Sequence, residues 1–226
     1  MARALIIAAM LLVLGGAYVF LRISERPRLA SDVPSSTQAE VEITTATVAE
    51  ETGTYVLNVQ YPQFGIAAID ADIKSKVDAA LAEFRAYPPN PPESAVAKNE
   101  LTGTYEDIYV GPDVISVKLI LSQYTGGAHP LTLFSGLNYD RATGRQLLQS
   151  DAFAMIGLTV EEVSAQANAE LQTKLGDAFF ADGASADPEN FSSFIVSKEA
   201  VTFIFQEYQV APYAAGPQEV SFPKVR

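Results

Sequence analysis

The chain has no cysteine, no tryptophan and a single histidine in 226 residues. Without cysteine there is no disulfide, no thiolate metal site, no cysteine nucleophile and no lipid-modified cysteine anchor. One histidine and no cysteine leave a zinc site short of its usual ligands. Basic residues are also scarce, 15 Lys and Arg against 27 Asp and Glu, for a net charge of -12. Their distribution is uneven. Residues 1–30 carry four arginines, at positions 3, 22, 26 and 28, against Glu25, which gives +3, so the remainder stands at -15. Such an acidic body is repelled by phosphate backbones, which argues against nucleic acid as a partner, and it draws in cationic partners instead. Signature motifs are missing too: no P-loop, no dinucleotide fingerprint and no G-x-S-x-G occur. In Asp182-Gly-Ala-Ser-Ala-Asp187 alanines stand where a calcium loop needs oxygens. No metal and no cofactor are expected, and no residue is assigned a catalytic role.

What is present begins with Ala4 to Leu21, 18 consecutive apolar or small residues ended by Arg22. As a helix rising about 1.5 Å per residue, the run spans about 27 Å, close to the ~30 Å hydrocarbon core of a bilayer. Residues 1–23 therefore read as a membrane anchor, with residues 4–21 in the bilayer. A cleaved signal peptide is the alternative, with Gly15 and Ala17 ahead of the cut and a secreted product. The arginines after the run favour a cytoplasmic domain by the positive-inside count. The three-residue head and the character of the following chain favour the outside, and an extracytoplasmic domain, periplasmic or extracellular, is preferred. Residues 24–53 are rich in Ser, Thr, Ala and Glu, contain Pro27 and Pro34, and read as a disordered tether. Within it, Glu40 to Val48 alternates weakly and offers at most a marginal strand.

Residues 54–226 read as one α+β domain in two halves, about 54–110 and 111–226. Thr54 to Tyr61 alternates as a strand, ended by Pro62. Ile69, Ile73, Val77, Leu81 and Phe84 fall at three- and four-residue steps and predict a helix from Asp70 to about Tyr87. The prolines at 88–92 stop it. Asn99–Val110 and Val114–Tyr124 predict a hairpin around Gly111-Pro112-Asp113. Pro130–Asp140 is a further strand, turned by Asp140-Arg-Ala-Thr-Gly144 into a short strand Arg145–Leu148. Thr159-Val-Glu-Glu162 is a capping box that opens a second helix ending at Gly176. Phe191–Val196 and Ala200–Gln209 form a last hairpin, and Glu219–Pro223 a terminal strand. This order, without βαβ repeats, predicts antiparallel sheet with two main helices, preceded by the transmembrane segment.

One stretch stands apart: Tyr124-Thr-Gly-Gly-Ala-His129-Pro130, set between two strands and holding the sole histidine. Gly126 and Gly127 imply positive φ or close approach of another backbone or ligand, or simply a tight turn. His129 reads either as a residue whose ring nitrogens hold the loop together or as a ligand or partner contact. Tyr124, Tyr208 and Tyr213 either stack on a ligand or pack the rim. Glu207 is the carboxylate that would assist His129 in a hydrolase-like alternative. These seven residues, Tyr124, Gly126, Gly127, His129, Glu207, Tyr208 and Tyr213, are the candidate ligand- or partner-binding set.

The same residues carry a family resemblance. Tyr124-Thr-Gly-Gly-Ala-His129 resembles the Y-T-G-G-A-H signature of the RsiV/PdaC-type extracytoplasmic domain family, whose function is unassigned. Asn138-Tyr-Asp140 with Thr143-Gly144 is similar to its F-D-x-x-T-G hairpin. Phe203-Ile-Phe-Gln-Glu-Tyr208-Gln-Val-Ala-Pro-Tyr213-Ala-Ala-Gly216 is similar to its closing strand. The resemblance covers roughly residues 54–223. It implies an envelope binding or sensing module whose partner is a cell-wall glycan or a basic protein such as lysozyme. The metal-dependent deacetylase domain of the family has no counterpart in the sequence. Only Met1 to Arg3 precede the apolar run, so sigma-factor control through a cytoplasmic segment is not expected.

Overall fold

The computed structural model describes residues 41–225 apart from 92 and 95; the apolar run 4–21 and the start of the tether lie outside the described residues. No helix among the described residues is long and apolar enough to cross a membrane. The first sheet has five strands: β1 (Thr44–Glu51), β2 (Tyr55–Gln63), β3 (Asn99–Val110), β4 (Val114–Tyr124) and β5 (Leu131–Asp140), in that spatial order. The helix α1 (Ala67–Arg85) follows β2. After β5 come α2 (Gln149–Ile156) and α3 (Val160–Leu175), then a second sheet of β6 (Phe194–Val196), β7 (Ala200–Phe205) and β8 (Gln218–Pro223). The α+β class expected from the sequence holds, with three helices among the described residues rather than two.

The five apolar residues at helical spacing, Ile69 to Phe84, are all buried in one core with Leu57, Val59, Ile115, Val117 and Leu137. Burial of each contributes roughly 1.5–3 kcal/mol. α1 lies between β2 and β3, and this crossover makes β2 and β3 parallel, from Tyr55↔Asn99 to Val59↔Gly103. All other strand pairs are antiparallel. A helix that brings the chain back to its starting edge allows no other direction. Pro62 does not end β2. The β3 pairing has already stopped at Val59, and β2 continues to Gln63 against β1 alone.

Three further expectations are corrected. The tether does not extend to residue 53: Thr44–Glu51 pairs with β2 over eight positions. β-Branched Thr45, Thr47 and Val48 suit a strand, Ala46 and Val48 pack on the core, and Glu50 and Glu51 bind Arg85 and Lys98. The two halves do not meet at residue 110, because β4 and β5 complete the first sheet, so the division falls after Asp140. The second core gathers Ala152, Ile156, Val163, Leu171, Phe191, Phe203, Phe205 and Phe222. Arg145–Leu148 is not a strand beyond a single bridge, Tyr139↔Gln146. The chain turns there into α2, whose first turn is held by Asp151. Its carboxylate accepts from the Leu148 amide at 2.8 Å and grips Arg145 with two bonds of 3.0 Å.

The two sheets meet along β4 and β5. Ile115, Val117 and Leu119 face α1, while Ser116 and Lys118 on the opposite face are also buried. Ser116 donates to Asn138 Oδ1 at 2.7 Å and accepts from the Val196 amide at 2.9 Å; Asn138 donates to the Phe194 carbonyl at 2.6 Å. Lys118, with its side chain 7% exposed, reaches Glu106, Asp107 and Glu219 at 3.0, 2.6 and 2.8 Å. Burial of the amine pulls its pKa down. The bonds to Asp107, Glu219 and Glu106 more than offset this and hold it above the usual lysine value. Gly136 sits where the sheets touch most closely: a Cβ there would lie 1.6 Å from the Phe194 carbonyl oxygen.

Candidate functional site

The loop from Thr125 to Pro130 joins β4 to β5, and it is fixed from three sides. From its own strand, the Tyr124 hydroxyl donates to the Gly127 carbonyl at 2.9 Å. From the proline-rich connector, Asn90 Oδ1 and Ser94 Oγ stand 3.3 and 3.4 Å from where a Cβ on Gly126 would lie. Gly126 has φ +86°, a conformation that costs an L side chain energy, so it is the glycine the turn requires. Gly127 is not among the positive-φ glycines, so within the pair the requirement falls on Gly126. From the second half of the domain, Tyr208 and Tyr213 close on His129.

Both imidazole nitrogens are engaged. Nδ1 donates to the Pro130 carbonyl at 2.8 Å, because a carbonyl can only accept. That places the proton of the neutral ring on Nδ1 and leaves Nε2 to accept from the Tyr208 hydroxyl at 2.9 Å. Tyr213 stacks on the ring at 3.6 Å between centroids and 16° between planes, and Tyr208 lies tilted at 5.9 Å. His129 is therefore half-buried and its ring nitrogens are occupied, while Tyr208 stays 55% exposed.

Tyr208 reaches this position through an unusual backbone. Its φ is +66°, a region costing a bulky residue of order 1–3 kcal/mol. The turn that holds it is bonded throughout: Gln209 N donates to the Gln206 carbonyl, Gln206 N to the Gln209 side chain, and Gln209 Nε2 to the Gly183 and Asn190 carbonyls. The neighbouring side chains cap the free edge of β5. Gln206 accepts from the Phe134 amide at 2.9 Å and donates to its carbonyl at 2.8 Å, as a paired strand would. Ser193 Oγ accepts from the Gly136 amide at 3.1 Å and donates to the Phe134 carbonyl at 2.8 Å.

Glu207 lies beside the Thr132 main chain, which favours its charged form. Burial pushes its carboxyl above the usual range, opposed by the Thr132 main chain and by the field of His129. Its Oε2 is out of contact with solvent and has no hydrogen-bond partner. Asn90 Nδ2, Asn99 Oδ1 and Gln218 Oε1 share that condition among the described residues, but they are neutral amides. Tyr213 is raised as well, by burial first and then by Glu207 and Tyr208. No hydrogen bond joins Glu207 to His129 among the described residues, so the pair is not assembled as an acid–base dyad. The fold thus brings together His129, Glu207, Tyr208 and Tyr213, and leaves Tyr124, Gly126 and Gly127 as supports of the loop. Sequence reasoning did not single out the Pro130 carbonyl, Thr132 and Gln206. These act through main-chain bonds or edge caps, and no side-chain pattern marks them. No group of three or more His, Cys, Asp and Glu suited to a metal ion occurs among the described residues.

Residues 48–132 match the family described as deacetylase PdaC, and residues 149–224 match the protein family of unknown function DUF3298. The chain carries the PdaC–DUF3298 domain pair. It is 26% identical over 194 residues to peptidoglycan-N-acetylmuramic acid deacetylase PdaC of Bacillus subtilis, covering 84% of this chain and 41% of that protein. Immunogenic protein MPT64 of Mycobacterium tuberculosis is 27% identical over 135 residues, 59% of each chain. An esterase of the same organism is 26% identical over 111 residues, 48% of each. The chain therefore spans between 41% and 59% of these relatives. Crystal structures of DUF3298 proteins share the fold: one from Bacteroides fragilis (TM-score 0.52, 18% identity, 81% of this chain and 90% of that one) and one from Pseudomonas aeruginosa (0.50, 18%, 82% and 91%). His129 lies in the PdaC segment and Glu207, Tyr208 and Tyr213 lie in the DUF3298 segment, so the cluster is built from both members of the pair.

Proposed function

We propose that this chain is an extracytoplasmic binding module of the bacterial cell envelope, held at the membrane through residues 4–21. Its contact surface is the cluster of Tyr208, His129, Tyr213 and Glu207. The observation that carries this reading is Tyr208: a large aromatic side chain, half exposed, on a strained backbone and fixed by His129. Strain kept at an exposed aromatic marks a contact prepared in advance, and preorganisation reduces the ordering cost of binding. The partner class is a cell-wall glycan or a basic protein such as lysozyme. The peptidoglycan named for the Bacillus subtilis relative supports the first, and the acidic body supports the second. The full chain is expected to be retained on immobilised lysozyme or peptidoglycan, and retention is expected to fall in Tyr208→Ala. Elution level with a blank column on both supports removes the proposal.

A hydrolase-like enzyme is the second reading, favoured by the raised carboxyl of Glu207 in the field of His129 and by the esterase among the relatives. It requires the Tyr208 hydroxyl to leave Nε2. Cell-wall or ester hydrolysis that is lost in a folded His129→Ala variant would support it; activity unchanged in that variant would end it.

A further inference from the structure

Several acids among the described residues are matched by bases. Glu50 is paired with Arg85, Glu51 with Lys98, Asp72 with Lys76 and Asp151 with Arg145; Glu106, Asp107 and Glu219 share Lys118. Glu207 takes part in no ion pair among the described residues, and one of its oxygens is covered and unbonded. A withdrawn carboxylate oxygen without a donor is costly, and a ligand that brings a donor recovers that cost. Beside it stand three rings within 5.9 Å of one another, one of them open to solvent.

We propose that Glu207 and the exposed face of Tyr208 together receive an arginine side chain of the protein partner. This rests on the binding reading above and chooses among its partner classes. The chemistry selects the guanidinium over the alternatives. It is planar and weakly hydrated, so it lies on an aromatic face while its edge N–H groups point at a carboxylate. A compact ammonium satisfies the carboxylate but stacks less well. A neutral sugar hydroxyl can donate to Oε2 but leaves the carboxylate charge unmatched. The acidic body draws such a partner toward the surface, and the cluster then reads one residue of it. Oε2 is covered in the free protein, so a neighbouring side chain must move to admit the incoming group. A guanidinium laid on the Tyr208 ring changes the surroundings of His129 Nε2, to which the Tyr208 hydroxyl is bonded.

Because His129 is the sole histidine, its ring proton signals identify themselves in the NMR spectrum of the full chain. N-acetyl-arginine amide, at millimolar concentrations and fixed pH and salt, is expected to shift those signals in a saturable way. N-acetyl-citrulline amide, its neutral isostere, is expected to bind about tenfold more weakly or not at all. Glu207→Gln, which keeps an acceptor beside Thr132, is expected to remove the difference between the two probes, and Glu161→Gln on the exposed face of α3 is expected to keep it. Equal responses to arginine and citrulline overturn the proposal, as does a Glu207→Gln variant that still distinguishes them. A response to N-acetylglucosamine in place of arginine overturns it in favour of the glycan. Retention on lysozyme without any response to the arginine probe removes this inference and leaves the binding reading intact, whereas loss of both removes both.

Discussion

At Ser116 and Asn138 the β4–β5 ribbon meets the second sheet through buried side chains whose hydrogen bonds are all made within the protein. At Thr132 and Phe134, further along the same ribbon, it meets the turn after β7 through side chains that are half open, one ending in an unbonded carboxylate oxygen. The first contact leaves no room: Gly136 and Phe194 touch main chain to main chain. The second carries exposed Tyr208 at positive φ. One ribbon is thus locked at one contact and poised at the other. Packing that permits no slack fixes the relation of the two sheets, and this lets the other contact keep strain and an unmatched charge without drifting out of register.

The locked contact should break hardest. Gly136→Ala places a methyl group 1.6 Å from a carbonyl oxygen that belongs to a strand, so the sheets must part. A loss of about 3 kcal/mol or more is expected, read as a fall in Tm of roughly 10 °C. A Tm within a degree or two of the parent would mean the sheets are not locked there. Lys118→Ala comes next, at about 2–3 kcal/mol, because three carboxylates are left converging on nothing. Its pH dependence has a defined sign. The folded-state pKa of Lys118 is raised, so its contribution is complete below the unfolded value of 10.5 and is lost as pH rises through the higher folded value. Urea titrations should give a constant difference between parent and variant from pH 7 to 9, narrowing only above that window. A difference that closes by pH 9 would contradict it.

Much of the locked region was legible in the sequence, since alternation and helical spacing report burial directly. The bounds of β3 and β4 and the five buried residues of α1 follow from that pattern. Alternation puts Ser116 and Lys118 on the face of β4 opposite Ile115 and Val117; that a second sheet covers that face is a fact of tertiary structure. α2 was missed although its signals are present, Asp151 three residues after Leu148 and Gly157 at φ +66° as its stop. At eight residues it is too short to show periodicity. His129, Tyr208, Tyr213 and Glu207 were legible as residues but not as an arrangement. Which nitrogen of His129 bonds which partner, and that Gln206 caps the edge of β5, depend on where a turn more than 70 residues later is laid down.

At the poised contact, effects on stability should be smaller and effects on binding larger. Gly126→Ala meets both the φ of +86° and the nearby Asn90 and Ser94 side chains, and is expected to cost about 1–2 kcal/mol. A Tm drop equal to that of Gly136→Ala would erase the contrast between the two contacts.

Tyr208→Phe is the mildest change and sharpens the comparison most. It removes one partly solvated hydrogen bond, at a cost of about 0.5–1 kcal/mol, and keeps the ring, its positive φ and its neighbours. His129 keeps its bond to the Pro130 carbonyl and its stack on Tyr213, so the loop should stay folded. Nε2 then faces water instead of a hydroxyl, and the His129 signals should report that change directly. If the Tyr208 hydroxyl serves to hold the ring in place for a partner, retention on lysozyme or peptidoglycan falls several-fold while Tm moves by no more than about 3 °C. If the hydroxyl is part of the scaffold, Tm and retention fall together, and the ribbon is locked at both contacts.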